Sequence, residues 1–81
     1  MIELVVHGCT DLGLVTKLQA TLSSLDVVEG LRVREFYRET LFSTISHSSD
    51  QFADDIAGLE VEGRRLSVIG GGSGRIEASF T

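Results

Sequence analysis

The first residues alternate, and then the period changes. Ile2, Leu4 and Val6 point one way and Glu3, Val5 and His7 the other, the two-residue repeat of a strand over residues 2–8. Gly8-Cys9-Thr10-Asp11 reads as a turn, and Thr10 or Asp11 can accept a backbone N–H bond as a helix cap. Leu14, Leu18, Leu22 and Leu25, with Val15 beside them, then form one apolar stripe and predict a helix over 12–25. Gly30 suits a turn at positive φ. Leu31 and Val33 inward, with Arg32 and Arg34 outward, predict a second strand over 31–38. Its alternation slips before Phe36, which a bulge near Arg34-Glu35 would repair.

After a tight Arg38-Glu39-Thr40 turn, a third strand is expected over 41–47. Ser48-Ser49-Asp50-Gln51 fits a capping box for a second helix, running to about Ala57 with Phe52, Ile56 and Leu59 as its apolar line and Gly58 as its end. Glu62-Gly63 is a turn. Leu66, Val68 and Ile69 predict a fourth strand, and the clean alternation of Arg75 to Phe80 predicts a fifth, hairpinned to the fourth through Gly70-Gly71-Gly72-Ser73-Gly74.

This order predicts an α+β fold: a ferredoxin-like β-α-β-β-α-β two-layer sandwich with an added C-terminal strand on the edge. Its expected core is Ile2, Leu4, Val6, Leu14, Leu18, Leu22, Leu25, Leu31, Val33, Ile45, Phe52, Ile56, Leu66 and Val68. The 81 residues make one domain, read as a module of a longer protein because the chain starts in one strand and stops just past another.

Net charge is −5, with 7 basic against 12 acidic residues, which argues against nucleic-acid and anionic-membrane partners. No apolar run approaches a membrane span, so membrane insertion is not expected. A single cysteine cannot close an internal disulfide. The expectation is a soluble domain, with the cytoplasm favoured.

The chemistry-bearing residues are few. His7, Cys9 and His47 are the soft metal ligands. On antiparallel neighbouring strands His7 and His47 fall at opposite ends, on the order of 15 Å apart at ~3.3 Å per residue. His7 with Cys9 is short of a closed zinc site. Neither a metal nor another cofactor is expected. The glycine run precedes Arg75 and a strand, not the Gly-Lys-Ser/Thr and helix of a phosphate loop. Asp50 and Asp54 lie one turn apart and read as a solvated helix face. An RNA-reading sheet would carry stacked aromatics where Val5 and Phe42 stand. No nucleophile–base–orienter set is visible, so the chain is not read as an enzyme.

The strand, the Gly8-Cys9 loop, the helix, and then Leu22-x-x-Leu25 and Val28-x-x-Leu31-x-Val33 resemble heavy-metal-associated domains of copper chaperones and metal-pumping ATPases. In that family the first loop carries Met-x-Cys-x-x-Cys. The matching segment is His7-Gly8-Cys9-Thr10-Asp11-Leu12, with Cys9 at the first cysteine and Leu12 in place of the second. The resemblance covers the layout of about the first fifty residues and implies the fold. The broken motif does not carry metal transfer over. The layout is also similar to ACT-type regulatory domains and to small ferredoxin-like domains of bacterial transport and envelope proteins.

The functional expectation follows from the sheet face that no helix should cover. It should carry Glu3, Val5, Arg32, Arg34, Phe42, Thr44, Ser67 and Ile69. Val5, Phe42 and Ile69, with Arg32 and Arg34, are the expected docking residues of a non-catalytic interaction or regulatory module of transport- or envelope-protein type. Its partner would be another protein or a second copy. The alternative is an ACT-like or degenerate heavy-metal-associated domain that senses a small ligand or ion.

Overall fold

The computed structural model describes residues 1–48 and 51–80. Its elements are β1 (Ile2–His7), α1 (Leu12–Ser23), β2 (Val28–Tyr37), β3 (Thr40–His47), α2 (Phe52–Ile56), β4 (Glu60–Val61), β5 (Arg64–Gly72) and β6 (Arg75–Phe80). The strands form one curled, mixed sheet in the order β2-β3-β1-β6-β5-β4.

Local chemistry explains the first half. Asp11, in extended backbone, accepts the Leu14 N–H at 2.8 Å and starts α1. Leu14, Val15, Leu18 and Leu22 are its buried face. α1 carries the chain over to β2, β3 returns as a hairpin, and β3 lies antiparallel between β1 and β2. The slipped alternation in β2 is a register shift between Val33 and Glu35, which leaves Arg34 as the extra residue; a second shift leaves Glu29 extra. Gly30 sits inside this strand, not at a positive-φ turn.

The second half departs from the expected topology. β6 pairs with β1 in parallel, and β5 pairs with the far side of β6. The last strand is therefore an interior strand, and β5, the expected neighbour of β1, is displaced one place outward. The molecule is a sheet-rich half-barrel with two helices on one side, not a ferredoxin-like β-α-β-β-α-β sandwich with a strand added at its edge. One cause is visible. The glycine-rich end of β5 would be a poor interior strand. The alternating β6 fills that place, with Ala78 and Phe80 buried in the core.

Ser49 and Asp50, part of the expected capping box and of the Asp50–Asp54 pair, lie outside the described residues. Gln51, not Ser48, is the N-cap of α2, and makes no side-chain cap bond.

The pairings stack the side chains in rows. Val33, Ser43, Leu4, Ile76 and Gly71 form one row of the helix-covered face, and Phe36, Leu41, Val6, Ala78 and Val68 the next. Leu4, Val6, Leu41 and Ile45 pack with the buried faces of both helices. Ser43 is buried among them and donates to the Leu4 carbonyl at 3.2 Å. Ile2, Leu25, Leu31 and Val68 are only partly buried, and Val33, on the edge strand, is 37% exposed. Cys9, Val15, Leu41, Val61, Ala78 and Phe80 complete the core.

Candidate docking surface

The face away from the helices has three rows of its own. Arg32, Thr44, Glu3, Arg75 and Gly72 make the first; Glu35, Phe42, Val5, Glu77 and Gly70 the second; Tyr37, Thr40, His7, Ser79 and Ser67 the third. Ion pairs tie the rows together. Arg34 Nη1 lies 3.2 Å from Glu3 Oε2, and Arg75 bridges Glu3 at 3.7 Å and Glu77 at 3.6 Å. Glu77 Oε1 in turn lies 3.4 Å from His7 Nε2, and Nδ1 of that ring lies 3.3 Å from Thr40 Oγ1. All these side chains are partly exposed, so each pair adds at most about 1 kcal/mol. Their main effect is to lay long side chains flat over the middle of the sheet.

That cover changes the status of the expected docking residues. Val5, between Phe42 and Glu77, is 1% exposed and is an interior residue of this face. Phe42 is half-buried, and Arg32 and Arg34 are exposed beside it. Ile69 is 61% exposed, but it sits on β5, three strands from Phe42, about 14 Å at ~4.8 Å per strand. Val5, Phe42 and Ile69 thus do not form one apolar strip. Arg75, Glu77 and His7 were not among the expected docking residues; Arg75 and Glu77 join the middle of the face only through the interior place of β6, whereas His7 shares the outward side of β1 with Glu3 and Val5.

Two grooves open where the ion-pair row ends at β2. One, of about 550 Å³, is lined by Met1, Gly30, Leu31, Arg32, Arg34, Thr44 and Ser46. The other, of about 310 Å³, lies against Glu3, Arg34, Glu35 and Phe42. Arg32 has no ion-pair partner among the described residues. A third groove, at the start of α1, sets Lys17 and Arg64 against Asp11 and Glu62, so its charges cancel.

The soft ligands are kept apart. β1–β3 pairing sets His7 opposite Thr40 and Ile2 opposite Ile45, which puts His7 and His47 at opposite ends of the sheet. The His47 ring stacks on Phe52 with centroids 4.8 Å apart, and its Nδ1 is buried without a partner. Cys9 is fully buried, its thiol directed to the Val6 carbonyl at 3.7 Å, while Leu12 is 68% exposed. The two positions matching the metal-binding motif therefore do not share a surface. Burial pushes the Cys9 thiol up to about 11, against a smaller opposing pull from the Arg64 guanidinium.

The chain matches no protein-family model, no curated protein and no solved structure. No described helix is long and apolar enough to cross a membrane.

Proposed function

We propose that the protein is a non-catalytic interaction module, and that the β2–β3 end of its uncovered sheet face docks an acidic segment of a protein partner. The groove of about 550 Å³ carries this reading. It gathers Arg32 and Arg34 on one wall of a chain whose net charge is −5. A carboxylate-bearing segment gains two guanidinium donors there, one of them without an ion pair of its own. Gly30 leaves room for its backbone, Thr44 and Ser46 offer hydroxyls, and Met1, 86% exposed, offers an apolar contact.

Amide shifts followed during titration with a Glu- and Asp-rich peptide test this. Shifts should centre on residues 30–34 and 44–46 and weaken with added salt. Arg32→Glu combined with Arg34→Glu should weaken binding at least about tenfold. Shifts centred on α1 or α2, or binding that survives the double charge reversal, would overturn the reading.

A further inference from the structure

Two charges of opposite sign on the uncovered face are left without a partner, and they stand in neighbouring rows. Arg32 has no ion pair, and neither has Glu35 among the described residues. Both are exposed on β2. Arg32 lies opposite Thr44 and Glu35 opposite Phe42, so their rows are about 7 Å apart at ~3.4 Å per residue of β3.

The bulge in β2 makes this arrangement. Val33 pairs with Ser43 and Glu35 with Phe42, and Arg34 is passed over. An unbulged ladder would set Arg34 opposite Phe42 and give both rows a positive end. The extra residue instead brings Glu35 into the second row. Arg34 donates to Glu3 at 3.2 Å and lines both grooves at this end of the sheet. With Arg34 set against Glu3, the groove at Gly30 and Thr44 keeps the charge of Arg32, and the groove at Phe42 keeps that of Glu35.

We infer, on the reading that this end of the sheet docks an acidic segment, that the segment carries one basic side chain two residues away from the carboxylate that meets Arg32. In an extended segment, side chains i and i+2 point to the same side about 7 Å apart, which matches the spacing of the rows. The carboxylate meets Arg32 in the first groove, and a lysine or arginine meets Glu35 in the second. Phe42, half-buried, gives the stem of that basic side chain an aromatic surface. A carboxylate in the same place would face the unpaired Glu35 and be repelled. The first groove alone selects an acid; the two together select a pair of opposite charges.

Two capped peptides in one threonine-rich background, carrying Glu-x-Lys or Glu-x-Glu, test this by amide shifts on the intact chain. Both should perturb residues 30–34 and 44–46. Glu-x-Lys should also perturb Glu35 and Phe42 and bind roughly fivefold tighter. Glu35→Gln should remove that preference, and Glu35→Lys should reverse it. If a Glu35 variant fails to fold, the two peptides on the wild-type chain decide the matter. Glu-x-Glu binding as tightly as Glu-x-Lys, with shifts still at 30–34, would overturn the basic position and leave the docking reading standing. A preference that survives Glu35→Gln would do the same. Shifts elsewhere on the molecule, or none, would remove both. Movement of the same amides on concentrating the chain without peptide would put a second copy in the grooves and overturn the inference.

Discussion

Val5 points away from both helices and is nevertheless 1% exposed. Phe42 and the ion-paired Glu77 flank it, so a position that alternation assigns to an outer face behaves as core. Val5→Ser should therefore cost about 1–3 kcal/mol, through lost apolar contact and a hydroxyl placed where water is excluded. A shift of the urea midpoint to lower concentration reads it; an unchanged midpoint would return Val5 to the surface. Cys9 gives a second check. Its folded-state value of about 11 lies above the ordinary 9.0, so the neutral thiol is the form that folding favours. The stability tied to it is complete below pH 9.0 and is lost as pH climbs through about 11. Wild type should lose up to about 2–3 kcal/mol more than Cys9→Ala over that window in parallel denaturation curves. At neutral pH the folded thiol should resist a disulfide-exchange reagent until urea unfolds the chain.

At the scale of elements, the β2–β3 turn stores strain. Arg38 and Glu39 have φ of 50° and 62°, as a two-residue turn between right-twisted strands requires. Neither residue favours that region. Glu39→Gly should raise stability by about 1 kcal/mol, read as a higher melting temperature. The Cys9 N–H bond to the Glu39 carbonyl, at 2.9 Å, is a backbone contact and survives the change. The place of this turn was legible, because two alternating runs meet there. So was the β2 bulge, because a slipped alternation has few other repairs. A cap at Thr10 or Asp11 was legible as well, since a capping oxygen needs only the next turn of helix; the structure gives the role to Asp11. β4 was not: Glu60 and Val61 make too short a run for any period to show.

At the scale of the molecule, β6 decides the architecture. It is paired on both sides, to β1 and to β5, and it brings Ile76, Ala78 and Phe80 to the core. A chain cut after Gly74 should therefore not fold, because it loses two ladders at once and opens the apolar rows of Leu4 and of Val6 to water. Circular dichroism and a melting curve of that truncated chain check this. A cooperative melt would mean that β6 is dispensable, as an appended edge strand would be. The same placement assembles the ion-pair row, since Arg75 and Glu77 reach Glu3 and His7 only from the strand beside β1.

Periodicity and capping by themselves determined where this chain makes most of its strands, its first helix and the greater part of its core. Those features depend on residues a few positions apart, and a buried face stays buried whichever strand lies beside it. Strand order was decided by tertiary structure alone. The alternation of Arg75 to Phe80 is the same whether that strand lies at the edge or beside β1, and only competition for the interior place separates the two outcomes. A glycine-rich β5 loses that competition. The outcome covers Val5, parts Ile69 from Phe42, and leaves β5 outside β6.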